Sequence, residues 1–259
     1  MQANRMKARF AAGEPAFGLS VMIPSAQIVE MAAGVGFDWV LIDCEHGTVG
    51  LETMEQMVMA ADAAGITPIV RPQSNSTADI LQAMDRGAMG VQVPHISTAA
   101  AARAAVQAVK FHPQGTRSLA AGTRASGYGY RGSMSEFTAD ANRETLVCIQ
   151  IEDEEALPNI DEILAVEGVD VFFIGPSDLS QSMGHPGDPK APRVAKAIDE
   201  TLAKIVAAGR TPGMPATAEA VQVALAKGVR YIYTHLPVVL GAGAKAFFRN
   251  AREAAAAKA

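Results

Sequence analysis

The sequence lacks most features of secreted, membrane-bound or nucleic-acid-binding proteins. Only two cysteines, Cys44 and Cys148, occur in 259 residues, which excludes a disulfide framework or a cysteine-based metal site. No apolar stretch is long and uncharged enough to span a bilayer, and no signal-peptide core follows Met1. Dense Lys/Arg clusters are missing and the net charge is −5, so neither nucleic acid nor an anionic membrane is an expected partner. These absences predict a soluble cytoplasmic protein.

What the sequence contains is a repeated alternation of apolar runs and Ala-rich segments with helical spacing. Eight strands are predicted, at about 16–22, 39–43, 67–71, 90–93, 145–151, 170–174, 211–214 and 230–234. This alternation favours a single (β/α)8 barrel domain over residues 1–259, with an open doubly wound sheet as the alternative. Neither GxGxxG nor GxxxxGK(S/T) follows any of these runs, so no dinucleotide or P-loop site is indicated.

Two neighbouring runs end in carboxylates. Glu152 ends the fifth run, and Asp178 follows the sixth in the sequence Gly-Pro-Ser-Asp. Parallel strands of α/β folds point their carboxyl ends to one face, where ligands bind, so both side chains are expected there. Either carboxylate alone could simply cap a turn or begin a helix. The pair suits a hard divalent cation, which prefers oxygen ligands.

A histidine and an arginine follow the second and third runs. His46 lies beside Asp43 and Glu45, an acidic setting that favours a general acid or base, whereas His95 and His235 are expected at most to line the mouth. Arg71 ends the third run.

Two roles remain open for Arg71. It could be a structural partner for Glu152 or Asp178. It could also stabilise an oxyanion or bind a carboxylate, which a permanent planar cation does well.

Two segments depart from the barrel pattern. Residues 112–138 are rich in Gly, Arg and Tyr and weak in periodicity, which favours an ordered functional loop. Its Arg124, Tyr128 and Arg131 are candidates to reach a substrate or a neighbouring subunit, and a surface excursion with solvated arginines is the alternative. The C-terminal segment from Ala242 predicts a helix whose apolar side is covered by another subunit.

The motifs GFDWVLIDCEHG, VRP, GAMGVQVP, QIED and FFIGPSDLS, in this order and spacing, resemble the HpcH/HpaI family of metal-dependent pyruvate aldolases. The similarity extends from about Phe17 to Gly241. It implies a (β/α)8 barrel, and a homo-hexamer with exchanged C-terminal helices. It also implies cleavage of 4-hydroxy-2-oxo acids to pyruvate and an aldehyde, with Mg²⁺, Mn²⁺ or Co²⁺ as cofactor.

The resemblance also implies roles for single residues. Glu152 and Asp178 match metal ligands, His46 the catalytic histidine, Arg71 the arginine at the pyruvate oxygen, and Asp85 an acid that orients the histidine. Gln150 and the backbone of Gly175, Pro176 and Ser177 match the pyruvate-binding residues. Ser20, Cys44 and His235 depart from the family pattern on the aldehyde side, which leaves the aldehyde undefined.

Three alternatives to a metal-dependent aldolase fit the sequence less well. A Schiff-base mechanism needs a lysine in the barrel mouth, and every lysine falls on a predicted helix, loop or terminus. A related lyase acting on a CoA ester would be expected to offer a basic groove for the nucleotide phosphates, and this acidic chain has no obvious one. A barrel that only binds a 2-oxo acid or metal would not need the set of His46, Arg71, Glu152 and Asp178.

Overall fold

Eight parallel strands form a closed barrel in the order of the chain. A computed structural model describes residues 2–256. The strands are β1 (Ala16–Val21), β2 (Trp39–Asp43), β3 (Thr67–Arg71), β4 (Gly90–Val93), β5 (Leu146–Ile151), β6 (Val171–Ile174), β7 (Pro212–Pro215) and β8 (Tyr231–His235). All eight predicted strands are present, with bounds that differ by no more than one residue. The (β/α)8 barrel is therefore confirmed and the open sheet is wrong.

Helices surround the barrel, and all of them except the first and the last lie between two strands in the chain. They are α1 (Arg5–Ala11), α2 (Ala26–Gly34), α3 (Leu51–Ala64), α4 (Thr77–Asp85), α5 (Ala99–Val109), α6 (Met134–Glu144), α7 (Ile160–Leu164), α8 (Pro176–Ser182), α9 (Pro192–Ala207), α10 (Val221–Ala226) and α11 (Leu236–Ala256). Side-chain oxygens of Ser25, Ser76 and Thr98 cap α2, α4 and α5 by accepting backbone N–H groups of the first turn. Of the described helices, none is both long and apolar enough to cross a membrane.

Side chains on each strand alternate between two buried layers, as the two-residue period of a strand requires. Val40, Ile42, Val70, Phe172 and Ile174 point outward and pack beneath the helices. Their neighbours point into the lumen, which is filled by an apolar cluster that includes Trp39, Leu41, Ile69, Phe173 and Tyr231. Toward the carboxyl ends of the strands the inward positions become polar, with Ser20, Asp43, Arg71, Gln92 and Gln150 all buried. The polar layer therefore rests on an apolar floor.

Aromatic packing makes that floor rigid. The Trp39 and Tyr231 ring centroids lie 4.1 Å apart, and Phe173 stacks on Tyr233 with an interplanar angle of 8°. A Cβ at Gly18 would lie 2.3 Å from Trp39 Cε2, so the indole occupies space that only glycine leaves. A closely packed floor holds the strand ends above it in fixed positions.

The segment 112–138 lies at the amino-terminal face of the barrel, because it connects a helix to the following strand. Within it Arg124 pairs with Asp62 near the end of α3, with Nη2 2.5 Å from Oδ2. The expectation that Arg124, Tyr128 or Arg131 could reach the substrate of its own chain is therefore wrong. Contact with a neighbouring subunit stays a prediction.

The last helix, α11, contains no buried residue. The helix contacts β8 and β1, and an apolar groove lined by Phe17 and Ile232 lies beside it. Phe247 and Phe248 are 67% and 56% exposed. An uncovered apolar side agrees with the sequence prediction of a subunit contact. The exchange of this helix between subunits remains a prediction.

Candidate active site

A buried ion pair connects the ends of β2 and β3. Arg71 donates from Nε to Asp43 Oδ1 over 3.0 Å and from Nη2 to Oδ2 over 2.5 Å. Its Nη1 lies 3.2 Å from Glu45 Oε2. The structural partner of Arg71 is Asp43, in place of the Glu152 or Asp178 that was one of its two open roles, because the strand register places Arg71 directly beside Asp43. The guanidinium is held on two edges and cannot rotate freely.

Asp43 also shapes the turn that carries His46. Its Oδ1 accepts hydrogen bonds from the backbone N–H groups of Glu45 at 3.1 Å and His46 at 3.2 Å. The His46 imidazole is half exposed, and its Nε2 lies 3.9 Å from Glu45 Oε2. The histidine is thus at the mouth of the barrel, where it was predicted, and can meet a substrate from solvent.

A chain of hydrogen bonds runs from the floor of the barrel to Glu152. Tyr231 Oη donates to Gln92 Oε1 over 3.0 Å, Gln92 Nε2 donates to Gln150 Oε1, and Gln150 Nε2 donates to Glu152 Oε2. An ionised carboxylate can only accept hydrogen bonds. Glu152 therefore fixes the orientation of the Gln150 amide, and through it that of the Gln92 amide. Gln150 is thereby a structural support of Glu152 as well as a predicted substrate contact.

Burial dominates the chemistry of Glu152. It raises the pKa of this carboxyl to about 7, and the charge of Asp178 adds to the increase, against the hydrogen bonds from Gln150 and the His95 backbone. Asp178 is half-buried in the first turn of α8. A Cβ at Gly175 would lie 2.7 Å from Glu152 Oε2, so glycine is required there for the carboxylate to fit. The two predicted metal ligands are thus close enough to interact.

His95 is the main residue that the sequence reasoning missed. Its Nε2 lies 3.5 Å from Glu45 Oε1, and its Nδ1 lies 3.2 Å from Asp153 Oδ2 and 3.6 Å from Glu152 Oε1. Desolvation lowers the pKa of His95, but the charges of Glu152, Asp153 and Glu45 and the bond to Asp153 outweigh it and the net pKa is raised. His95 therefore does more than line the mouth, because the fold surrounds its imidazole with three carboxylates.

Asp85 is not part of this group. It ends α4, at the amino-terminal face of the barrel, and its Oδ1 accepts a hydrogen bond from Arg117 over 2.8 Å. The role of orienting His46, which the resemblance implied, does not hold within one chain, because the barrel separates the two residues.

Gly175, Pro176 and Ser177 form the turn from β6 into α8. The N–H groups of Ser177 and Asp178 are in the first helical turn and have no acceptor within the helix, so they can face a bound anion. His235 lies beside Ser20 in the register of β1 and β8. Burial first, and then the positive charge of Arg71, lower the pKa of His235. Ser20 and His235 therefore border the mouth on the side opposite Glu152.

The donor groups at the mouth fit a divalent cation. Glu45, His95 and Glu152 each offer one ligand atom, and these atoms lie within 4.8 Å of one another. Burial raises the pKa of Glu45, and although the Arg71 guanidinium is near, Glu45 Oε2 has no hydrogen-bond partner among residues 2–256. Carboxylates that lie this close together have too few hydrogen-bond donors to stabilise their negative charges. A bound cation would stabilise their ionised forms. These residues fit the divalent cation that was predicted, and the group contains Glu152 but not the second predicted ligand, Asp178.

A closed (β/α)8 barrel with charged side chains at the carboxyl ends of its strands is the architecture typical of barrel enzymes. The chain belongs to the family described as HpcH/HpaI aldolase/citrate lyase, whose sequence pattern matches residues 17–231. It is 40% identical over 210 residues to a hydroxypyruvate/pyruvate aldolase of Sagittula stellata, covering 81% of each chain. It is 39% identical over 212 residues to a 4-hydroxy-2-oxo-heptane-1,7-dioate aldolase of Shigella sonnei, covering 82% of this chain and 80% of that one.

The fold agrees with this assignment. A crystal structure of an HpcH/HpaI aldolase/citrate lyase family protein from Burkholderia cenocepacia superposes with a TM-score of 0.90 at 30% identity. The superposition covers 96% of this chain and 100% of that chain.

Proposed function

We propose that this protein is a metal-dependent aldolase that cleaves or forms 4-hydroxy-2-oxo acids, with pyruvate and an aldehyde as the small-molecule partners. The observation that carries the proposal is the meeting of Arg71, His46 and Glu152 at one barrel mouth, in a chain about 40% identical to named aldolases. The site residues are assigned accordingly: Glu152 and Asp178 hold the cation, Gln150 and the Gly175–Ser177 turn bind the 2-oxo acid, and His46 and Arg71 do the chemistry.

A divalent cation at Glu152 and Asp178 would act as a Lewis acid toward the 2-oxo acid. The protein's own contribution begins with Arg71. Asp43 accepts from Nε and Nη2 and Glu45 lies at Nη1, which leaves other N–H groups of the five guanidinium donors for a substrate oxygen. Because Arg71 is held before substrate arrives, it stabilises the negative charge that develops at the keto oxygen without reorganisation.

His46 is assigned to the proton of the substrate's 4-hydroxyl group. In cleavage, it removes this proton, directly or through one water, as the bond between carbons 3 and 4 breaks and the aldehyde forms. In the reverse direction it returns the proton to the new hydroxyl oxygen. Its position at the solvent side of the mouth, with Glu45 behind it, suits a group that exchanges protons with water.

Exchange of the methyl protons of pyruvate with deuterated water tests the 2-oxo acid half of the site without any aldehyde. Followed by NMR, exchange should require a divalent cation and should cease in chelated protein. Glu152→Gln should need far more cation for the same rate. Exchange at the full rate in thoroughly chelated protein would contradict the proposed cation site.

Several finer features are also proposed. Mg²⁺, Mn²⁺ and Co²⁺ are the candidate cofactors, and the physiological ion is not assigned. The exposed apolar side of α11 supports a homo-oligomer, for which we propose a hexamer. The cytoplasmic location stays a prediction. If the protein is instead a CoA-ester lyase, it should cleave an acyl-CoA and release no pyruvate. If it is a barrel that only binds its ligand, it should cleave neither an acyl-CoA nor a 4-hydroxy-2-oxo acid.

A further inference from the structure

His95 lies between carboxylates that come from two other strand ends. Glu45 follows β2, whereas Glu152 and Asp153 follow β5, and the His95 imidazole contacts all three. The side chain is 52% exposed, so a dissolved ion can reach it. Ligands on opposite sides of one cation, each at about 2 Å, lie roughly 4 Å apart. The ligand atoms of Glu45, His95 and Glu152 lie within 4.8 Å of one another, which is close to the spacing expected of atoms that bind one shared cation.

Asp153 fixes which ring nitrogen is free. Its Oδ2 accepts a hydrogen bond from Ser97 Oγ over 3.2 Å and lies 3.2 Å from His95 Nδ1. Because the carboxylate only accepts, a neutral ring carries its proton on Nδ1 and presents the lone pair of Nε2 on the side of Glu45. A carboxylate that binds one nitrogen while the other faces a cation is the usual arrangement around metal-binding histidines.

The backbone of His95 is held in an unusual conformation. Its φ of 54° lies in the left-handed region, which non-glycine residues rarely occupy. Two hydrogen bonds hold it there: its N–H donates to Glu152 Oε1 over 2.9 Å, and its C=O accepts from Asn75 Nδ2 over 3.2 Å. Conformations of this kind persist where the surroundings impose them, and they concentrate at functional sites. Here the conformation brings the imidazole toward the carboxylates.

We propose that His95 is a further protein ligand, through Nε2, of the divalent cation held by Glu152, on the side of the cation that faces Glu45. This inference rests on the metal dependence of the proposed function. It has a consequence for ion choice, because carboxylates and water suit Mg²⁺ whereas an imidazole favours transition metals. The site should therefore prefer Mn²⁺ and Co²⁺ over Mg²⁺. This preference should be larger than that of a site made of carboxylates alone.

Pulsed EPR of bound vanadyl, a paramagnetic substitute for the divalent cation, detects a coordinated nitrogen directly. The test variant is His95→Asn, since asparagine tolerates a positive φ and removes the imidazole. The matched control is His112→Asn, a histidine on the exposed segment at the opposite face. Coupling to ¹⁴N should be present in the wild type and in His112→Asn and absent in His95→Asn, and labelling the histidines with ¹⁵N should change its frequency.

Calorimetric titration provides a second readout that does not depend on turnover. His95→Asn should weaken Mn²⁺ binding by about 10- to 100-fold and Mg²⁺ binding less, so that the preference for Mn²⁺ decreases. Vanadyl bound to the wild type without nitrogen coupling, or with coupling unchanged in His95→Asn, would overturn the assignment of His95. If pyruvate exchange still required the cation in that case, the proposed function would stand. A protein that bound no cation would overturn both.

Discussion

Asp43 and Arg71 occupy paired positions on neighbouring strands, and the carboxylate of the first accepts two hydrogen bonds from the guanidinium of the second. Both side chains are almost completely buried, with 0% and 4% exposure. The pair positions the arginine for the substrate and also connects two strands of the barrel. If either residue were buried without the other, its charge would be uncompensated. The stability of the protein and the activity of the site therefore both depend on this pair.

The first prediction concerns the stability of this pair. Asp43→Ala should lower the free energy of unfolding by about 3–5 kcal/mol, because it leaves the Arg71 charge buried without its bidentate partner. Urea denaturation measures the loss. As a control, Glu200→Ala removes an exposed i,i+4 pair with Lys196 and should change stability by less than about 1 kcal/mol. Equal effects of the two substitutions would contradict the importance of burial.

The second prediction concerns pH and Glu152 in metal-free protein. The pKa of about 7 in the folded protein exceeds the ordinary value of 4.5, so ionisation of this carboxyl opposes folding. The destabilisation is absent below about pH 4.5, grows as the pH rises, and is complete above about pH 7, where it reaches ~3 kcal/mol.

Unfolding free energies at about pH 5 and about pH 8 in the presence of a chelator measure this difference. Glu152→Gln cannot ionise and should lose less stability than the wild type between the two conditions. The same dependence in both proteins would show that Glu152 titrates normally. Added Mn²⁺ should reverse the trend in the wild type, because the cation binds the ionised carboxylate.

The third prediction separates the roles of His46 and Arg71. His46→Asn should reduce cleavage by about 10²- to 10⁴-fold, the usual contribution of general acid–base catalysis, while pyruvate methyl-proton exchange continues. Arg71→Lys keeps the charge but loses the bidentate contact to Asp43, so it should reduce exchange and cleavage together. Cleavage rates and NMR exchange rates are compared in the same preparations.

Two results would revise this division of roles. Cleavage by His46→Asn at nearly the wild-type rate would remove the histidine from the mechanism. Equal loss of exchange and cleavage in that variant would make His46 the base for formation of the enolate as well.

The fourth prediction concerns assembly. The protein should be a homo-oligomer at micromolar concentration by light scattering, with a hexamer expected. Replacing both Phe247 and Phe248 by Glu should shift it to smaller species, because these rings are exposed on α11 of the single chain. Arg252→Glu, another exposed position on the same helix, is the control and should leave the assembly unchanged. A wild-type monomer would contradict the assignment.

The sequence was sufficient to predict the strands because each is a short apolar run bounded by a helical segment or a glycine. It also placed His46, Arg71 and Glu152 at one face, since residues at the carboxyl ends of parallel strands meet there. Burial of Gln150 and the tight space at Gly175 were not predictable from the sequence, because they depend on the position of the Glu152 side chain.

The remaining contacts depend on pairings across the barrel. The partner of Arg71 follows from the register of β2 and β3, which local sequence does not contain. His95 has apolar neighbours in the chain, and Glu152 and Asp153 are 57 and 58 residues away. Asp85 was assigned by resemblance, whereas its position at the end of α4 turns it toward Arg117.

Release of pyruvate from a panel of 4-hydroxy-2-oxo acids, measured with chelated protein and again after addition of Mg²⁺ or Mn²⁺, tests the central claim most directly. We predict that at least one of these acids yields equimolar pyruvate and aldehyde, that chelated protein is inactive, and that the added cation restores cleavage. Cleavage at an undiminished rate in chelated protein, or no pyruvate from any acid in the presence of the cation, would contradict the assignment of a metal-dependent aldolase.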